Sequence, residues 1–158
     1  MELQQLYAHA TRCHTTLAPV LRAHPELLHR EFVTTSRFNT IAKLLVHCNG
    51  AEEGWYARLI DKPWPPSYAD RASNDLESLL TDAEALRTET LAFIAASSPE
   101  SLAQVFTVSL GKTTSLTPQE ILFHIINHEQ WHRAQIYTAL QSFGIEPPNL
   151  DYVLLKTT

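Results

Sequence analysis

A chain of 158 residues, 44% of them hydrophobic and only four of them glycine, is composed for one globular domain, long enough to bury roughly 70% of its unfolded surface. A disordered or fibrous chain is excluded on composition, and a net charge of −5 with basic residues scattered singly speaks against nucleic acid as a partner. No apolar run approaches a membrane span, and MELQQLYAHATRCH lacks the basic-then-apolar order of a signal peptide, so a cytoplasmic protein that meets no membrane is expected.

The first predicted helix runs from about Leu3 to Ala23, with Leu6, Tyr7, Ala10, Leu17 and Leu21 at helical spacing, and His24-Pro25 ends it. After an irregular stretch, Thr35 or Ser36 can cap a second helix from about Arg37 to Ile60, striped by Ile41, Leu44, Leu45, Cys48, Trp55 and Leu59. Lys62-Pro63-Trp64-Pro65-Pro66 breaks it. A third helix spans roughly Asn74 to Ala96, with Leu76, Leu79, Leu80, Ala83, Leu86, Leu91 and Ile94 facing inward, and Ser97-Ser98-Pro99 stops it. Between Ala103 and Leu116 an alternating, β-branched pattern around Leu110-Gly111-Lys112 predicts a short hairpin.

Thr117, Pro118 and Glu120 then spell a capping box with proline in the first turn. The helix they start should reach about Ser142, with Gly144 supplying its C-terminal turn. The expected fold is all-α: an antiparallel four-helix bundle over residues 1–158, with a hairpin-like insertion before the last helix. Two cysteines, Cys13 and Cys48, are too few for a disulfide framework and form no C-x-x-C pair, so reduced thiols are expected.

The chain has eight histidines, and three of them, His124, His128 and His132, are stacked at four-residue spacing on the last helix. At about 100° per residue, Ile121, Ile125, His128, His132, Ile136 and Ala139 share one arc, with His124 at its edge. Burying a polar group without a partner costs about 1–3 kcal/mol, so His128 and His132 need partners. Water, a carboxylate or backbone could serve; so could a shared metal ion, because i and i+4 place ring nitrogens on one side of a helix. His47, near the middle of the second helix, is the natural third ligand, although it lies on the flank of that helix's stripe, nearer Ala51 and Trp55 than Ile41.

HEQWH also fits the H-E-x-x-H pattern of zinc peptidases. Those enzymes need a further ligand downstream; here His132 is followed by Arg133-Ala134-Gln135-Ile136-Tyr137, and the later acids, Glu146 and Asp151, lie past the helix end. Glu129-Gln130-Trp131-His132 is equally E-x-x-H, the di-iron pattern, repeated by Glu26-Leu27-Leu28-His29. That second copy falls beside a helix break.

LLVHCNGAEEGWYARL, NHEQWHRAQIYTAL and FGIEPPNLDYVLL together resemble the DinB/YfiT-like family of metal-binding four-helix bundles over nearly the whole chain. The N-H-x-x-x-H-R-x-Q signature, Asn127 to Gln135, is the most specific part. The resemblance implies a divalent metal ion (zinc, nickel or iron) held by His47, His128 and His132, with other positions open to water or to a small-molecule substrate. It also implies a homodimer, and activity as a thiol-dependent transferase using a low-molecular-weight thiol such as bacillithiol, mycothiol or glutathione. Ala134 stands where many members have glycine.

Two alternatives remain: a non-catalytic metal-binding stress-response protein, and a metal-dependent hydrolase. Glu129 reads either as a catalytic base beside the metal or as an exposed acid with no chemical role. Asn127 and Gln135 are placed to fix imidazole orientation by hydrogen bonding. Arg133 could bridge helices or subunits, or meet an anionic substrate. Trp55, Trp64 and Trp131 could line a pocket mouth or simply pack. Cys48 reads as a core thiol.

Overall fold

The computed structural model describes residues 2–109 and 113–155. Four long helices dominate: α1 (Leu3–Ala23), α2 (Ile41–Leu59), α3 (Leu76–Ala96) and α5 (Pro118–Ser142). The single turns α4 (Pro99–Leu102) and α6 (Tyr152–Leu155), the 3-10 turns Pro25–Leu27 and Tyr68–Asp70, and the strands β1 (Phe106–Ser109) and β2 (Thr113–Leu116) complete the described elements. The strands pair antiparallel, Phe106 opposite Leu116 and Ser109 opposite Thr113; the expected hairpin tip, Leu110-Gly111-Lys112, lies outside the described residues.

Local chemistry sets the helix ends. The capping box forms: Thr117 accepts from the Glu120 amide at 3.2 Å, and the Glu120 carboxylate accepts from the Thr117 amide at 2.7 Å. At the other end of α5, Gly144 takes φ 81°, a conformation open to glycine without a Cβ clash. Its amide and that of Ile145 return to the Gln141 and Leu140 carbonyls, closing a Schellman motif. Helix α2 starts later than expected. Its cap is Thr40, which accepts from the Lys43 amide at 3.2 Å, because the hydroxyls of Thr34 and Ser36 are used two residues on, by the amides of Ser36 and Phe38. That places residues 30–39 in a loop closed by Phe32 N–H to the Asn39 carbonyl at 3.0 Å.

Each long helix touches two others: α1 meets α3 and α5, and α2 meets the same pair. Two apolar clusters mark the ends of this ring. One gathers Leu17, Leu21, Ile41, Leu44, Leu79, Leu80, Ile136 and Leu140; the other gathers Tyr7, Ile94, Ile121, Leu122 and Ile125, with Trp55 and Leu59 against them. Tracing each helix between the clusters corrects the antiparallel expectation. Helices α1 and α5 run one way, while α2 and α3 both run the other, so the consecutive pair α2 and α3 is parallel. The physical reason is the connection at 60–75, whose prolines end α2 and whose 3-10 turn Tyr68–Asp70 packs back on α2; it returns the chain to the end where α2 began. A crossover of that length permits parallel neighbours, as a short turn does not.

The middle of the ring is polar. Between the two clusters lie Asn49 and Glu52 of α2, Arg87 and Thr90 of α3, and Glu129 of α5, all buried. The inward stripe of α3 is therefore Leu76, Leu79, Leu80, Ala83, Arg87, Thr90 and Ile94, while Leu86 and Leu91 are only partly buried. Likewise α2 buries Asn49 and Glu52 in preference to Cys48, Trp55 and Leu59.

Among the described residues, no helix is long and apolar enough to cross a membrane.

Candidate metal centre

His47, at mid-height on α2, and His128 and His132, one turn apart on α5, meet where those helices touch. His128 Nε2 lies 3.1 Å from His47 Nε2 and 3.2 Å from His132 Nε2. The three ligand atoms all fall within 4.8 Å of one another, a group that could hold a metal ion. His132 is buried, whereas His47 and His128 are half-buried and face an opening.

Proton bookkeeping tests whether such an ion fits. His132 Nδ1 lies 2.7 Å from Gln135 Oε1; the amide oxygen only accepts, so that ring nitrogen carries the proton and Nε2 presents a lone pair to the cluster. His128 Nε2 is shared between two close neighbours and can give a single proton to only one. A neutral trio thus leaves at least one of these two close contacts without a hydrogen bond, an arrangement that a cation relieves. Two of the three separations, 3.1 and 3.2 Å, are also close to the spacing expected when imidazole nitrogens sit about 2.0–2.1 Å from one ion. The donor set therefore fits a divalent cation.

The environment favours neutral rings. Burial, aided by the other histidines of the trio, lowers His128 to about 4; burial, then His132 and Arg37, lowers His47 to about 4. Phe38 stacks on His47 with ring centroids 4.2 Å apart and meets His132 edge-on at 5.7 Å. Two of the three rings are thereby wedged in place by a side chain from the loop before α2. His124, one turn before His128, is exposed and turns toward Trp55, with centroids 5.1 Å apart.

Glu129 does not stand free beside the trio, nor is it the exposed acid the alternative reading required. It is 9% exposed and ion-paired with Arg87 of α3, whose other amino group donates to the Ala83 carbonyl at 3.0 Å. Glu52 likewise faces inward, accepting from the Tyr7 hydroxyl and, at 3.3 Å, from Thr90. With both buried glutamates committed to such partners, and Glu26 beside His24 at 3.5 Å, the carboxylates of a di-iron site are not assembled. Asn127 is exposed and donates back to the Phe123 carbonyl at 2.8 Å, so its hydrogen bond goes to its own helix and not to an imidazole. Arg133 reaches α1, donating to the Ala10 carbonyl at 3.2 Å. Cys48 faces the interior with Glu129 and His128, and burial pushes its thiol up to about 12, far from a nucleophile.

The trio opens onto a cleft of about 980 Å³, whose walls include Phe38, Trp55, Trp64 and Tyr68 and whose floor carries His47 and His128. Trp64 reaches it from the proline-rich connection by lying on Gly54: a Cβ there would stand 2.2 Å from the indole. Trp131 is on the outer face of α5, 70% exposed, away from the cleft.

Sequence reasoning missed the Arg87–Glu129 pair, the Tyr7–Glu52–Thr90 group and Phe38. The first two were findable: Arg87 and Thr90 continue the 3–4 spacing of Leu76, Leu79, Leu80 and Ala83, and only their polarity hid them. Phe38 carried no signal, because its loop has no period to read. The DinB family's sequence model matches residues 2–158, and no curated protein matches the chain.

Proposed function

The chain belongs to the DinB family, and from that premise we propose that His47, His128 and His132 hold a divalent metal ion at which a small thiol is activated for attack on an electrophile. The observation that carries the reading is the gathering of three imidazole nitrogens within 4.8 Å of one another, two of their rings on the floor of an open cleft. A divalent ion in that place would supply Lewis acidity, depressing the pKa of a bound thiol so that it reacts as thiolate.

The chain's own residues do the rest. The neutral imidazoles leave the ion's charge uncompensated, which keeps it a strong acid. Gln135 fixes the tautomer of His132, and Phe38 restricts the rings of His47 and His132. Phe38, Trp55 and Trp64 give the cleft apolar walls, which exclude water from one side of the reacting atoms. In the transfer, the thiol's proton leaves through the open cleft, its sulfur pair forms the new bond to carbon, and the leaving group departs with the pair of the bond that breaks. Arg87 and Glu129 tie α5 to α3 across the middle of the ring, behind the trio, and take no part in proton transfer.

The ring of four helices, two running each way, supports reading the fold as a four-helix bundle, with residues 2–158 as one unit of that family.

Turnover of an electrophile with a panel of cellular thiols tests the proposal. Consumption of electrophile that needs both thiol and metal, and stops on chelation, is expected; undiminished turnover after chelation, or turnover without thiol, would overturn it.

A further inference from the structure

The chain as a whole is acidic, at −5, yet the cleft over the trio is not. Its lining holds two fixed cations, Arg37 and Lys43, and His29, against one carboxylate, Glu31. The ion pairs among the described residues are Arg22–Glu77, His24–Glu26, Arg71–Glu53 and Arg87–Glu129, so neither Arg37 nor Lys43 has a carboxylate partner. Lys43 is held by the Asn39 side-chain oxygen at 2.7 Å, a neutral contact that aims the ammonium without cancelling its charge. Arg37 lies over Phe38, 4.8 Å from the ring centroid, and Phe38 in turn lies on His47. The guanidinium is thus one aromatic ring removed from His47.

Two unpaired cations, one on the loop before α2 and one in its first turn, in a cleft walled by aromatic rings, select for one kind of guest. We propose that this cleft binds small organic anions: molecules with an apolar or aromatic body against Phe38, Trp55 and Trp64 and an acidic group, carboxylate or sulfonate, held by Arg37 and Lys43. The inference rests on the proposed use of the same cleft and narrows its substrate class to thiols or electrophiles that carry an acid at the end remote from the reacting atom. A low-dielectric wall behind the cations strengthens their pull on such a group, and charge-assisted hydrogen bonds are the stronger ones.

The test needs neither a thiol nor turnover. Naphthalene-2-sulfonate and the neutral methyl 2-naphthyl sulfone, matched in size, are titrated against the protein with zinc and after chelation, and binding is read by quenching of tryptophan fluorescence. The sulfonate should bind about tenfold more tightly than the sulfone in both forms, as charge-assisted contacts at a part-exposed site allow. Arg37→Ala with Lys43→Ala should erase that preference and leave the sulfone's affinity unchanged, whereas Glu31→Gln should enlarge it. Both cations are on the surface, and circular dichroism confirms that the variants remain folded. Equal binding of the two probes, binding of neither, or a preference that survives the double variant would overturn the proposal. A preference seen in protein that takes up no zinc would uphold it while removing the metal-centred reading beneath it, so the two can fail separately.

Discussion

His132 donates from Nδ1 to the side-chain oxygen of Gln135, three residues on along the same helix, at 2.7 Å. That single bond decides which nitrogen of a buried imidazole is left free to face His128. Partners of this kind are typically worth about 10–100-fold in metal affinity. Gln135→Leu should therefore weaken metal binding by about that factor, with helix content unchanged, in a competition titration against a chelator. Gln135→Glu, which keeps the acceptor, should retain affinity. Equal affinity of the leucine variant would show that the hydrogen bond does not set the tautomer.

Glu129 and Arg87 form the buried brace behind the trio. Removing one partner of a buried pair leaves the other charged without compensation, a loss of about 3–5 kcal/mol. Arg87→Met should cost that order in urea unfolding, and adding Glu129→Leu should restore much of it, since replacing both charges by apolar groups can be close to neutral. Were Glu129 a catalytic base, Glu129→Gln would abolish turnover at full metal content and full stability. The account predicts instead that stability falls and that the protein remaining folded keeps its turnover.

Acid should act on the metal-free protein in a definite direction. His47 and His128 are lowered to about 4, and His14 to about 3, chiefly by burial, from an ordinary value of 6.5 in the unfolded chain. Between those limits the unfolded chain binds more protons, so stability rises with pH across that window and falls as the pH drops from about 6.5 toward 4. Chelated protein should show this loss in thermal unfolding at successive pH values. Because His47 and His128 are already neutral at pH 7, metal uptake there should release almost no protons from these two rings, which calorimetry in buffers of different ionisation enthalpy will read. A stability that is flat from pH 7 to 4 would contradict the burial of these rings.

Much of the architecture was legible in the chain. The bounds of α1 and α5 followed from periodicity and from end signals that act locally, namely His24-Pro25, Thr117 to Glu120, and Gly144. The start of α2 did not, because Thr34, Ser36 and Thr40 are all competent hydroxyls and only the folded loop decides which of them caps the helix. Helix direction was also hidden: Pro63, Pro65 and Pro66 announce a break, but whether the chain then turns back or crosses over depends on packing of Tyr68 against α2. Two of the histidines sat on one helix face at a spacing that the sequence displays. Their third neighbour, His47, is 81 residues away from His128, and its place on the flank of an apolar stripe reflects an opening that the stripe itself does not record. The inward positions of Arg87 and Glu129 were hidden, since burying either is favourable only once each has found the other.

Metal content tests the central claim most directly. Protein purified without a histidine tag, and assayed by elemental analysis, should carry about one divalent ion per chain, the stoichiometry of a single three-imidazole site. His47→Ala should lose most of that metal although His128 and His132 stay intact on α5. A His47→Ala protein that keeps its full complement, or a wild-type chain that takes up no divalent ion when dialysed against zinc, nickel or iron(II), would contradict the account.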